Sequence, residues 1–465
     1  MRHIIILMVS LFFISCENWL DVSPKSDIKV EDLFSTQEGF EDAVMGVYSL
    51  MTLPDVYGAN LSFGYADVLA AYYTVGTKSA FYEASKYNYR EAGEEGRLSS
   101  IWSLMYKGIA NLNSILKHVD ERQEVFGEND FYLYKGEVLA LRAMLHFDLL
   151  RLFAPSMKVG EKEKAIPYMD SYTHLAQPRL SVREVLDCVI RDLNEARDLM
   201  RPYDSFGPQY AEDEAEDTPA SVDRYKSRMR YYSATALLAR VYLYAGETGK
   251  ALTAAKEIIG EADGEMIPIF RMASNADVSD PLFEEEIVFA LSKNNLADEI
   301  DAYFSDVAAA TATDEGSRYL RMRLTSKDKI YRSQNAADIE FREMWFMQAG
   351  NDKNCVTLSK YMSAGHICLL RVSELFLIAA ECAPSNADRL KYMNRYRIHR
   401  GLTELNEMGD AVHEEYRKEF IGEGQLFFYY KRKNKSKIGP DDKTIVPEDV
   451  YVMPRPVAED ELGSN

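Results

Sequence analysis

RVSELFLIAAECAPSNADRLKYMNRYRIHRGL (371–402) holds the clearest structural signal in the chain. Its first half is apolar and alanine-rich, as a buried helix requires. Pro384 and Ser385 break the chain, Asn386 can cap a second helix, and Gly401 stands where that helix closes. YYSATALLARVYLYAGETGKALTAAKEII (231–259) repeats the plan: one helix ends at Gly246, and after a short turn a second carries Ala251 and Ala255. Small side chains at such positions let paired helices approach closely, the packing logic of tetratricopeptide-like repeats.

The same period recurs outward from these hairpins. STQEGFEDAVMGVYSLM (35–51) opens with Ser35-x-x-Glu38, a capping-box pattern, and places Phe40, Val44, Val47 and Met51 on one face. GEVLALRAMLHFDLLRLF (136–153) aligns Val138, Leu141, Leu145, Leu149 and Leu152, and Pro155 stops it. Further helices are expected over about 99–118, 181–200, 228–246, 249–260, 367–383, 386–400 and 411–430. The reading is all-α dominated, with a scaffold over about 35–51, 99–260 and 366–430 and a few short strands. Residues 52–98 and 261–365 are irregular, apart from the strand-like EIVFALS, and 211–221 form an acidic loop. Irregular stretches on a rigid scaffold are where binding sites concentrate.

The N-terminus reads MRHIIILMVSLFFISC. Arg2, a run of mostly apolar residues too short to span a bilayer, and Ser15 before Cys16 make a lipoprotein signal over 1–15. Phe13 stands where such signals more often have Leu. Cys16 would then be acylated and become the first residue of the mature chain, 16–465, on a lipid tether. With 74 acidic against 54 basic side chains, a net −20, the body repels nucleic acid. The cysteines Cys188, Cys355, Cys368 and Cys382 form no disulfide framework. Aromatics are abundant: 30 Tyr, 21 Phe and 3 Trp.

Motifs for catalysis are missing. Ser26-Asp27-Ile28-Lys29 has the Ser-x-x-Lys form without its partner motifs, and there is no His-Glu-x-x-His, Walker loop or Gly-x-Ser-x-Gly. His413 beside Glu414 and Glu415 reads as part of an amphipathic helix, His146 reads as packing, and the seven His never take metal spacing. No metal, cofactor or catalytic residue is assigned. The basic run KRKNKSK (431–437) reads as a solvated helix end.

Nine stretches in order resemble the SusD/RagB-like surface lipoproteins of Bacteroidetes nutrient-uptake systems. They are Cys16…Trp19-Leu20-Asp21…Pro24; Gly46-Val47-Tyr48; Trp102, Tyr106, Ile109 and Asn113; the 136–153 helix with AIPY; LSKYM; LLRVSELFLIAAEC; NRYRIHRGL; KEFIGEGQLFFYYKR; and YVMPRP. Leu426, Tyr429 and Tyr430 depart from an acid-and-Arg pattern common in the family's closing helix, which argues for a divergent subgroup. The resemblance implies a single domain over 16–465 tethered to outer-membrane lipid through Cys16, with a helical scaffold, an irregular ligand-binding face and no enzymatic activity. It implies capture of an oligomeric nutrient, most simply a glycan, outside the cell, and delivery to a SusC-like TonB-dependent outer-membrane transporter. A peptide ligand, a purely structural lid and a cryptic glycoside hydrolase are the alternatives. Sugar recognition needs flat rings flanked by polar groups. The irregular segments offer Tyr65, Asp67, Tyr72, Tyr73, Tyr82 and Arg90, and then Tyr303, Phe304 and Trp345.

Overall fold

The computed structural model describes residues 30–462 apart from 210–218, 276, 278, 305–315, 334, 351 and 363. Cys16 and the Ser26–Lys29 motif therefore lie outside the described residues, as does most of the acidic loop.

Helix α1 (Gln37–Met51) buries Phe40, Val44, Val47 and Met51 as its period predicts. Its cap falls one residue later than expected. The Thr36 hydroxyl accepts from the Gly39 amide at 3.2 Å, while Ser35 donates to the Asp32 carbonyl. Helix α2 (Ala92–Glu121) starts earlier than the periodicity suggested, and α3 (Asp130–Phe153) follows it. The stripe from Val138 to Leu152 is buried, but so is every other residue from Gly136 to Phe153, so α3 is an axis packed on all sides.

Burial of that kind requires its charges to be paired. Glu137 accepts from Arg228 at 2.6 and 2.7 Å and from the Tyr48 hydroxyl. Arg142 donates to Asp192 at 2.8 Å, and Asp148 takes Arg151 and Tyr57. His146 is packing, as expected: Nδ1 bonds the Arg142 carbonyl and Nε2 accepts from the Met169 amide.

The short strands β1 (Lys164–Pro167) and β2 (Arg179–Ser181) pair, and the Ser181/Glu184 capping box opens α4 (Val182–Met200). Helices α5 (Tyr231–Tyr244) and α6 (Thr248–Ile259) form the first predicted hairpin. After strand β3 (Ile287–Ser292) come β4 (Met322–Arg323), β5 (Phe346–Ala349), β6 (Asp352–Leu358) and β7 (His366–Arg371). Helices α7 (Val372–Cys382) and α8 (Asn386–Ile398) form the second hairpin. Ser385, not Asn386, caps α8 by accepting from the Asp388 amide at 3.0 Å. From α1 to α8 each helix packs on the next, which is the repeat-like stack the hairpins predicted.

Two expected helices are different objects. Residues 366–371 are strand, paired antiparallel with β3. The 411–430 helix is broken into α9 (Ala411–Glu419) and α10 (Gln425–Lys433). Gly422 and Gly424 make the break, with φ of +80° and +69°, and a Cβ on Gly424 would stand 2.4 Å from the Leu61 carbonyl oxygen.

That break sits beside a buried ionic lattice. Glu419 faces Arg371 at 2.6 Å, Arg400 at 2.7 Å and Arg342 at 3.2 Å. Arg400 continues to Glu286, Arg342 to Glu340 and Glu415, and Arg371 to Glu423, which also holds Lys360. The lattice ties β7, the turn after α8, α9 and the 340–345 turn together. The basic run is likewise not a free helix end: Lys431 is buried and donates to the Arg151 carbonyl, and Arg432 and Lys433 both hold Glu381.

Candidate functional site

The two irregular segments meet. Phe63 lies between them, with its ring centroid 5.6 Å from Tyr303, 6.1 Å from Phe304 and 5.6 Å from Tyr361. Tyr303 stacks on Phe81 at 5.8 Å, and Tyr73 leans on Phe304 at 5.7 Å. Backbone bonds fix this assembly: Thr74 donates to the Arg321 carbonyl at 2.6 Å, and Leu320 to that of Tyr303 at 2.8 Å. Arg97 braces it from α2, its guanidinium 4.7 Å from the Phe81 ring and bonded to Asn60 and the Ala80 carbonyl.

Tyr73, Thr74 and Tyr303 are half-buried and keep part of their surface in water. The hydroxyl of Tyr303 bonds no described residue. Burial pushes the Tyr303 phenol upward, so it stays protonated and able to donate. Tyr82, half-buried next to Phe81, carries the Lys86 ammonium 3.7 Å from its ring centroid. Arg90 is exposed on a separate turn and pairs with Glu95 at 3.5 Å.

Four of the residues that the sequence offers as ligand contacts are inside. Tyr65 is fully enclosed under Arg97. Tyr72 is 2 % exposed, donating to the Arg417 carbonyl at 2.9 Å with Tyr430 at 3.2 Å. Asp67 is fully buried, where its two oxygens accept from the Gly422 and Gly424 amides and from Tyr73. Burial raises its carboxyl to about 7 against the pull of those donors. Trp345 is fully buried, donating to the Pro281 carbonyl with Lys360 3.7 Å from its ring. These four hold the floor; they offer no ring face to a ligand. Phe63, Phe81, Arg97 and Arg321 belong to the assembly and were not expected there. The adjacency of Phe81 to Tyr82 was the one available signal.

His413 bonds the Tyr429 hydroxyl at 2.9 Å, and Glu415 is consumed by Arg342 and Arg397. Among the described residues no group of three or more His, Cys, Asp or Glu is placed to hold a metal, and no helix is long and apolar enough to cross a membrane.

A family described as "Starch-binding associating with outer membrane", SusD-like, matches residues 18–243. The SusD-like protein P25 of Formosa agariphila is 22% identical over 485 aligned residues, covering 90% of this chain and 87% of its own. Residues 18–243 thus match the SusD-like family, and the Formosa relative carries that likeness over 90% of the chain. Solved structures of the SusD fold agree. A SusD-like carbohydrate binding protein from Bacteroides vulgatus superposes with a TM-score of 0.70 at 18% identity, covering 92% of this chain and 97% of that one. Surface glycan-binding protein A from Bacteroides uniformis gives 0.69 at 19%, and a laminarin binding SusD-like protein 0.67 at 17%, each covering 92% and 98%. At such identities the likeness speaks for the fold, and the SusD-like helical scaffold is the one described above.

Proposed function

We propose that this SusD-like protein is a glycan-binding lipoprotein of the outer surface, which captures an oligosaccharide and passes it to a SusC-like TonB-dependent transporter. The observation that carries the reading is the aromatic face where the irregular segments meet. Tyr303 and Tyr73 present rings beside Thr74, on a floor held by Phe63, Phe81 and Phe304. Rings of this kind take the C–H face of a sugar while neighbouring donors take its hydroxyls. The laminarin-binding and surface glycan-binding relatives support the carbohydrate class. The protein binds without turnover.

A glycan array followed by calorimetry on the best neutral oligosaccharide tests this. Tyr303→Ala should raise Kd about tenfold, ~1.4 kcal/mol, with a modest fall in melting temperature from the lost contacts with Phe63 and Phe81. Unaltered affinity removes Tyr303 from the site, and release of shorter sugars on long incubation would make the protein an enzyme.

The tether has its own test. Cys16→Ser should leave a folded protein that no longer fractionates with membranes, since an acyl chain contributes about 0.8 kcal/mol per buried methylene. Quantitative recovery of the variant in the outer-membrane fraction, in cells lacking the co-encoded barrel, would refute lipid anchoring.

A further inference from the structure

A second cavity lies away from the aromatic face. It encloses about 840 Å³ between α2, the connection from β1 to β2, and the chain around Arg455. That volume is in the range of small-molecule and oligosaccharide sites, roughly 300–1,000 Å³. Its floor is the Tyr106 ring, tilted against Trp102 at 4.9 Å and fixed by the Tyr106 hydroxyl donating to the Pro167 carbonyl at 2.9 Å. One wall is the 168–178 connection, which holds Tyr172 and Leu175 out in water at 63 % exposure each.

The charges of this cavity oppose those of the molecule. Lys164, Arg179 and Arg455 line it, with Glu459 as the one carboxylate among the described residues of the lining, in a chain of net charge −20. Arg179 on β2 makes no ion pair with any described residue. An anion is repelled by the rest of the body, so cations gathered in a walled recess are a local field aimed at one. A guanidinium fork matches the paired oxygens of a carboxylate or sulfate.

We propose that this cavity is a second saccharide site, selective for sugars that carry a carboxylate or a sulfate. The acidic group meets Arg179 and Lys164, and a sugar ring lies against Tyr106. The sugar class rests on the glycan-binding reading above; the charge preference does not. Ser103 and Thr173 at the walls supply hydroxyl partners, which favours a saccharide over an acidic peptide.

The full mature protein is titrated calorimetrically with tetragalacturonate and its fully methyl-esterified form. A sulfated galactan tetrasaccharide with its desulfated form and tetraglutamate complete the set. At least one anionic sugar should bind at least tenfold tighter than its uncharged counterpart, with affinity falling as salt rises. Arg179→Gln should weaken that binding at least tenfold, Lys164→Gln less, and Tyr303→Ala should not change it. Failure of both anionic sugars to bind, equal affinity for charged and uncharged forms, or indifference to both cavity variants overturns the proposal. So does equal or tighter binding of tetraglutamate, which would mark a peptide site. Loss of binding in Tyr303→Ala but not in Arg179→Gln would move the anionic sugar to the aromatic face. Loss of neutral-glycan binding alone leaves the cavity standing and fails only the earlier reading.

Discussion

Glu419→Gln is expected to lower the unfolding free energy by about 3–5 kcal/mol, the cost of breaking a buried ion pair from one side. The carboxylate is fully buried and meets Arg371, Arg400 and Arg342 at once. A neutral amide of the same shape leaves three guanidinium groups short of counter-charge and turns two N–H donors towards other donors. Burial alone would raise the Glu419 carboxyl, but Arg400 and Arg371 outweigh it and hold the group well below 4.5. Burial likewise opposes the ionised form of Glu415 and Glu381, and their cationic partners hold both down to about 2. Folded values below the unfolded ones mean stability that is present above about pH 4.5 and is lost as the pH falls towards 2. Urea midpoints at pH 7, 4.5 and 3 check both parts. The wild type should weaken across that window, and Glu419→Gln should start lower and weaken less. A variant with the wild-type midpoint at pH 7 would show that the lattice contributes nothing net.

Tyr72→Ala should cost about 3–5 kcal/mol, as large-to-small changes of buried aromatics do. The ring is enclosed, and its hydroxyl closes bonds to the Arg417 carbonyl and Tyr430. Tyr72→Phe keeps the packing and gives up only the hydroxyl, about 1 kcal/mol. Thermal melts of the pair separate packing from hydrogen bonding. A ring on the surface would give the opposite result, a small change in melting temperature with a large loss of ligand. Stability within ~0.5 kcal/mol of wild type for Tyr72→Ala would contradict the burial described here.

The scaffold was legible because its signals are local. A 3.6-residue period, a break at Pro384 and Ser385 and glycines at 246 and 401 lie within one or two turns of the features they specify. Reading failed where the deciding partner is remote. Between His366 and Arg371 the run ICLL is apolar throughout, so no period distinguishes a strand from a helix start, and β3, some eighty residues upstream, decides the matter. The GEG break inside 411–430 was visible as two glycines, yet the run of apolar and charged residues around it kept a helical rhythm. Tyrosine carried the largest ambiguity. Its ring suits a core and its hydroxyl suits a surface, so Tyr72 and Tyr303 look alike until it is known that Arg417 and Tyr430 satisfy the first. Asp67 misled for the same reason, since a carboxylate becomes an interior group only when donors are supplied from far along the chain. The charged cavity was unreadable, because Lys164, Arg179 and Arg455 come from three separate places.

The clasp between Asp67 and the Gly422–Gly424 turn spans 355 residues of chain. Tyr89 makes a similar reach to the Val450 carbonyl, and Lys443 back to that of Ser85. The segment bearing half of the aromatic face is therefore among the first of the described residues to be synthesised and among the last to be completed. Until the final tenth of the chain arrives, Asp67 lacks the Gly422 and Gly424 amides and Tyr72 lacks Tyr430, and enclosing them would cost more than it returns. The early chain has little drive to collapse around them. In the surface lipoprotein proposed above, a chain threaded through a membrane before folding would keep its pliancy for the journey, and the aromatic face would close only once the tail had followed.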